Sequence, residues 1–326
     1  MVGATPKTRT TLMAQISNGF GNKKSLTEQI NDICKSSMKR RDKVNALIKL
    51  GIRENEVQFI LPQEVHVRTP RQVFVYTFGV EIECVMPRER FEEVATGVNY
   101  HFEDYNHRDN REYFKFTSDS SICTTRGREG SPIECVSPVL DGTKTGFDKL
   151  ATCCEALNAA GAYVNRTTGL HVHIGARNMT GKAYANVFKN YQKLERVIDT
   201  FMAYSRRGNN NTYCQSITDK DFTGCNTFED IARVFTDRYY VNRYYKVNAA
   251  AYGAHGTIEF RQHQGTTDFA KIKNWVNFCA KLVAYSQENV IEREITSISD
   301  IPFLTKTEKA FFKSRQRELN REAEAA

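Results

Sequence analysis

Residues 73–85 read VFVYTFGVEIECV. β-Branched and aromatic residues dominate and Gly79 stands alone inside the run, so the stretch is predicted to be a strand. Glu81 and Glu83 flank Ile82 within it. Residues two apart in a strand point to one face, so the two carboxylates share a face and Ile82 supplies the opposite one. Two later segments repeat this device. GLHVHIG (169–175) sets His171 and His173 on either side of Val172, and TIEFRQH (257–263) alternates Glu259, Arg261 and His263 with Phe260 and Gln262. Each is expected to present a polar row on one sheet face, with Val172, Ile174, Ile258 and Phe260 turned to the buried side. Gly79, Gly169, Gly175 and Gly256 lie beside these rows, where tight turns or close ligand approach need a small residue.

Working outward, residues 113–117 and 133–136 are further short strands. Residues 147–161 read as a helix with Phe147, Leu150, Cys154 and Leu157 on one stripe and Gly161 as its stop. Thr180 caps a long helix reaching residue 204, with Val187, Tyr191, Leu194, Ile198 and Phe201 inward. Residues 209–221 are polar and loop-like, a segment able to close over a ligand. A short helix at 228–235 and a strand at 244–247 follow. Thr267 or Asp268 then caps a last core helix carrying Ile272, Trp275, Val276, Cys279, Leu282 and Val283. Strands and helices mix without regular β–α alternation, which predicts an α+β domain with an antiparallel sheet. This domain spans 71–290. Before it come a flexible lead-in (1–25) and a small helical appendage (26–70). In the appendage Ile30, Ile33, Cys34, Val44, Leu47, Ile48 and Leu50 recur at helical spacing over 26–50, Gly51 caps the end and Pro62 stops the unit. Its stretch KVNALIKLGIRENEVQFIL (43–61) has a faint helix-turn-helix pattern. Residues 291–326 are a charged helical tail.

Composition narrows the function classes. The 326 residues are 40% hydrophobic and 26% charged, which excludes a disordered or fibrous chain. No apolar run has membrane-spanning length, and the first residues lack the apolar stretch of a secretory signal. The nine cysteines form no CxxC pair, as expected of reduced thiols in a cytoplasmic protein. The net charge of +8 is partly local, in KRRDK (39–43) and in the tail from Lys306. Solvated helix faces account for both better than nucleic-acid contacts do. No phosphate-binding glycine loop, HExxH or GxSxG is present.

Carboxylates and imidazoles in rows on a half-buried face are costly, because close carboxylates repel and buried ones lose hydration. A divalent cation relieves that cost, and carboxylate-rich sites with some imidazole suit Mg2+ or Mn2+. Arg261 would then offer a planar fork to a phosphate. Taken singly, each piece has a blander reading. GVEIE can be an exposed face, HVH surface histidines or a zinc pair, and ExR a cross-strand pair. Three rows in one chain favour a site. Glu134, in PIECVSP, can add a carboxylate to the same face. Asp119 stands at a strand end, where it either reaches a ligand or caps a turn.

The set GVEIE, SDSSI with PIECVSPVL, TGLHVHIG, and GTIEFRQHQGTTD with Trp275 resembles the amidoligases, over about residues 74–285. These are carboxylate–amine ligases similar to glutamine synthetase and glutamate–cysteine ligase, known from bacteria and their viruses. The resemblance implies a curved, mainly antiparallel sheet of glutamine synthetase-like type. Its concave face would hold ATP and Mg2+ (or Mn2+), and helices would pack outside. Carried over by position, Glu81, Glu83, Glu134 and Glu259 look like metal ligands. His171 or His173 would sit near metal and ATP phosphates, and Arg261 at the transferring phosphate. Asp119 would face the acceptor amine. Glutamate–cysteine ligases have a single His near the HVH position, so the choice between the two is open. Arg126, Arg128, Arg243 and Lys246 are further cations for substrate or phosphate, with Arg243 and Lys246 taken toward the nucleotide.

The implied activity is ATP-dependent formation of an amide or isopeptide bond through an acyl phosphate, on a peptide, protein or cell-wall-type substrate. The partners are a carboxylate and an amine, with no membrane or nucleic acid, and self-association stays open. Two other readings use the same residues: a metal-dependent phosphohydrolase or nuclease, and a nucleotide- or nucleic-acid-binding protein whose N-terminal helices read DNA.

Overall fold

The computed structural model describes residues 24–53, 57, 60–61, 76–104 and 112–324. Residues 1–23 of the expected lead-in (1–25), the strand start at 73–75 and the Pro62 stop lie outside them. The chain divides into two units, Met1–Val73 and Phe74–Ala326.

In the first unit, residues 26–50 form two helices rather than one: α1 (Leu26–Lys35) and α2 (Arg40–Lys49). Ser25 and Glu28 make a reciprocal cap at the start of α1, each side chain accepting the other's backbone N–H. The break comes at Ser36, which is extended and whose hydroxyl donates to the Ile33 carbonyl. Such local bonding competes with continuing the helix. Ile30, Leu47, Ile52, Val57 and Leu61 close a small core.

The second unit carries strands β1 (Thr77–Met86), β2 (Tyr100–Phe102), β3 (Phe114–Ser118), β4 (Ser131–Val136), β5 (Leu140–Asp141), β6 (Gly169–Gly175), β7 (Thr236–Asp237), β8 (Tyr240–Val241), β9 (Val247–Asn248) and β10 (Thr257–Gln264). Its helices are α3 (Arg88–Val94), α4 (Lys144–Ala159), α5 (Gly181–Asp199), α6 (Phe228–Val234), α7 (Ala250–His255), α8 (Phe269–Ser286) and α9 (Lys306–Glu324). The main sheet has the order β2–β3–β4–β1–β6–β10–β9, with β5 paired to β1. All its pairs are antiparallel except β2–β3. The fold is therefore mixed α+β with an open, mostly antiparallel sheet. The sequence gives no hint of α3 or β2, and the strand expected at 244–247 is reduced to the two residues of β9.

Alternation along the central strands sorts the two faces. Phe78, Val80, Ile82 and Cys84 of β1 are buried, as are Leu170, Val172 and Ile174 of β6. Helices cover this face: Phe78 stacks on Phe147 of α4 at 5.0 Å, and Phe260 meets Tyr191 of α5 at 5.9 Å. Thr180 caps α5 by accepting from Ala183 N, and Asp268 caps α8 by accepting from Ala270 N and Lys271 N. The tail belongs to the same core. Ile291, Ile295, Ile298, Ile301 and Leu304 are buried in it, and Phe312 of α9 packs 4.7 Å from Phe201. The charges of α9 thus ride on a helix with a buried apolar side. No cysteine is in a disulfide, and among the described residues no helix is long and apolar enough to cross a membrane.

Candidate active site

The opposite face of the sheet collects the polar rows. Register sets the pairs: Glu81 faces His171, Glu83 faces Glu134, and Glu259 faces His173 on one side and Asn248 on the other. Like charges directly opposite in adjacent strands are destabilising, so the Glu83–Glu134 pair needs a positive partner. Three overlapping triplets bring donor atoms within 4.8 Å of one another: Glu81–His173–Glu259, Glu81–Glu134–His171 and Glu83–Asp119–Glu134. Asp119 also accepts from Ser121 N at 2.7 Å, so it caps its turn and joins the cluster at once.

Bonds to fixed groups hold the carboxylates. His171 Nδ1 lies 2.8 Å from Glu81 Oε2 and its Nε2 lies 3.2 Å from Glu83 Oε1. Gly169 N donates to Glu83 Oε2 at 2.6 Å, and Asn248 Nδ2 donates to Glu259 Oε2 at 2.5 Å. Arg261 Nη1 donates to Glu259 Oε1, and Arg261 Nε reaches the Tyr213 carbonyl. His173 Nδ1 lies 2.8 Å from Thr257 Oγ1. Its Nε2 is buried without a hydrogen-bond partner, 3.3 Å from Glu81 Oε1 but not aligned to it.

These surroundings divide the titrations. Burial acts to raise the Glu81 carboxyl, but the two histidines outweigh it and hold Glu81 well below the usual carboxylate range. Burial also opposes ionisation of Glu259, and Arg261 and His173 reverse it to a lowered pKa. Glu134 goes the other way: burial first, then the charges of Glu81 and Glu83, push it well above the usual range. Burial opposes the charge on His173, and Glu81 and Glu259 overcome it to raise its pKa. A cavity of about 1500 Å³ opens over this face.

A model of the family described as "putative amidoligase enzyme" matches residues 75–283. The chain belongs to the amidoligase family. It is thus a ligase-type enzyme, and the acidic face lies wholly within the matched segment. No curated protein matches the chain. Among solved structures, a bifunctional glutathione synthetase from Pasteurella multocida is similar at 12% identity and a TM-score of 0.34, over 76% of this chain and 41% of that one.

The amidoligase face gathers Glu81, Glu83, Glu134, Glu259, His171, His173, Asp119 and Arg261 around one cavity. Arg243 lines its rim, exposed, with its guanidinium 5.4 Å from the Tyr244 ring. Three expectations are corrected. Lys246, taken toward the nucleotide, is fully buried away from the cavity, its Nζ 2.7 Å from both Glu195 and Asp199. Arg126 and Arg128 do not line the cavity, and Arg128 lies over the Tyr163 ring. His263, expected in the row with Glu259 and Arg261, faces the core. Phe260 pairs with Val172 but His263 pairs with Leu170, so Arg261 and Gln262 together span the place opposite His171. That bulge flips the alternation. His263 packs 5.7 Å from the Trp275 ring, with Nδ1–H donating to the Gln264 carbonyl at 2.7 Å. Sequence reasoning missed Asn248 and Arg206, both at the cavity. Asn248 sits in the two-residue β9, and nothing local marks either residue. Of the expected loop at 209–221, Asn211 and Tyr213 line the cavity while Cys214 and Ile217 are buried.

Proposed function

We propose that the chain is an ATP-dependent carboxylate–amine ligase in a site of glutamine synthetase type. It joins a carboxylate to an amine through an acyl phosphate, as an amide or isopeptide bond on a peptide, protein or cell-wall-type substrate. The observation that carries this reading is the opposed Glu83–Glu134 pair inside three overlapping donor triplets, with the Arg261 guanidinium beside them.

The donor set fits Mg2+ or Mn2+: five carboxylates and two imidazoles, with no thiolate. Glu134, held up by burial and by its neighbours' charge, and the unpartnered His173 Nε2 are the groups such an ion would relieve. When bound there, divalent ions offset charge on phosphate oxygens. The residues of the chain do the rest. Glu259 and the Tyr213 carbonyl fix two arms of Arg261, and its Nη2 donates to nothing among the described residues. Nη2 is therefore left for an oxygen of the phosphoryl group passing from ATP to the substrate carboxylate. The amine then attacks the acyl carbon and phosphate leaves. Single-ligand pockets run to roughly 300–1,000 Å³, so the observed cavity has room for a nucleotide and a second substrate. A walled cleft also protects an acyl phosphate from water.

Calorimetry of ATP with Mg2+ tests the proposal. Wild type should bind only with the metal, and Glu83→Ala should weaken binding by about ten-fold or more. Equal affinity in the two proteins sinks the reading.

A further inference from the structure

Arg206 is a buried cavity residue whose charge the ion pairs described above leave unexplained. It ends the short 3-10 turn Tyr204–Arg206 that follows α5, and is only 3% exposed. Among the described residues its guanidinium has no carboxylate in ion-pairing range, and its buried Nε has no hydrogen-bond partner. Buried charges are ordinarily paired, because an unpaired one forfeits its hydration for nothing. Arg261 at the cavity has Glu259, and Lys246 in the core has Glu195 and Asp199, yet Arg206 borders the cavity with no carboxylate in ion-pairing range among the described residues.

Its place is built. A Cβ on Gly169 would stand 2.4 Å from Arg206 Nη2, so only glycine lets the guanidinium lie across the start of β6. The same point is 3.2 Å from His171 Nε2, which puts the guanidinium beside the imidazole that meets Glu81 and Glu83. The buried Cys214 thiol lies close by and feels the charge.

We propose that Arg206, seated over Gly169, binds an oxyanion of a substrate, a phosphate or a carboxylate, at a subsite distinct from the Arg261 fork. A planar guanidinium with no carboxylate in ion-pairing range suits either anion, and the neighbouring acidic cluster would place that oxyanion at the edge of the metal site. Naming the anion as part of ATP or of the carboxylate substrate rests on the ligase reading; its binding does not.

The test uses the full chain without ATP, with inorganic phosphate and succinate as probes in thermal-shift titrations. Saturable stabilisation of wild type is expected from at least one of them. Arg206→Met keeps the apolar stem and removes the charge, so about ten-fold more anion should be needed for the same shift, and Arg206→Lys should fall between. The ligand-free Arg206→Met protein should melt no lower than wild type, because a residue kept for a ligand costs stability. Should Arg206→Met not fold, Gly169→Ala displaces the guanidinium without removing it, and the same weakening is expected. A response to phosphate assigns the subsite to a phosphate-bearing substrate, and one to succinate alone assigns it to a carboxylate. Anion midpoints unchanged in both variants, or no stabilisation of wild type by either anion, overturn the proposal. A lower ligand-free melting point with unchanged midpoints makes Arg206 a packing residue. These outcomes are independent of whether Glu83→Ala loses ATP.

Discussion

His171 and Glu81 face each other across the β1–β6 pair with Nδ1 2.8 Å from Oε2. The other nitrogen of the ring meets Glu83 at 3.2 Å, so one imidazole ties together both carboxylates of the GVEIE strand. It also stands 3.6 Å from Glu259 Oε1. Removing it should free the acidic row to repel itself and spoil the ligand geometry. His171→Ala is expected to bind Mn2+ about 10–100-fold more weakly than wild type. Electron paramagnetic resonance of free Mn2+ during a titration reads this directly. An unchanged affinity would mean that the row does not hold a metal.

Arg261 works by shape as well as charge. Nη1 is spent on Glu259 and Nε on the Tyr213 carbonyl, which aims the remaining arm. Arg261→Lys keeps one positive charge and loses the fork. ATP affinity should change only a few-fold, while Mg2+-dependent ADP formation should slow by about 10²-fold. A rate equal to wild type would remove Arg261 from the chemistry.

The parts of this site that the sequence disclosed are those written in strand alternation. Glu81, Glu83, His171, His173 and Glu259 sit at a spacing of two, and unbroken pairing carries that spacing into a shared face. His263 follows the same spacing and fails, because the extra residue at Arg261–Gln262 is a feature of the pairing and leaves no mark in the local sequence. Lys246 and Arg206 fail for another reason. Their roles depend on burial and on which acids lie near, and Glu195 is 51 positions from Lys246. The helices were legible where a cap and an apolar stripe coincide, as at Thr180 and Asp268. The small helix α3 and the parallel strand β2 have neither signal.

The turned histidine has a pH signature. Burial, against the opposing bond to the Gln264 carbonyl, pushes His263 down to about 3. The unfolded chain binds a proton near pH 6.5 that the folded chain refuses until about pH 3. His263 is thus neutral and harmless above pH 6.5, and stability falls as pH drops from 6.5 toward 3. At 1.36 kcal/mol per pH unit the loss is on the order of 5 kcal/mol. Melting curves across that window should show a shallower fall in His263→Phe than in wild type, because the variant has no group to protonate there. Parallel pH profiles would mean that His263 titrates alike in both states.

Lys246 separates a structural cation from a catalytic one. Its ammonium is fully buried between Glu195 and Asp199, and Glu195 also accepts from Ile217 N at 2.8 Å. Asp199 further accepts from Gln262 Nε2, and the Gln262 amide oxygen accepts from the Tyr191 hydroxyl. The network pins α5 to β10 beneath the cavity, on the side that carries no donor of the acidic cluster. Lys246→Met strands two carboxylates and should cost about 3–5 kcal/mol, read as a lower denaturant midpoint. Adding Glu195→Gln and Asp199→Asn removes the stranded charges and should restore much of that loss. ATP affinity of the folded single variant should match wild type within a few-fold. If Lys246→Met instead keeps its stability and loses ATP, the ammonium leaves its buried pair to serve the nucleotide, and the network is a resting state of the site.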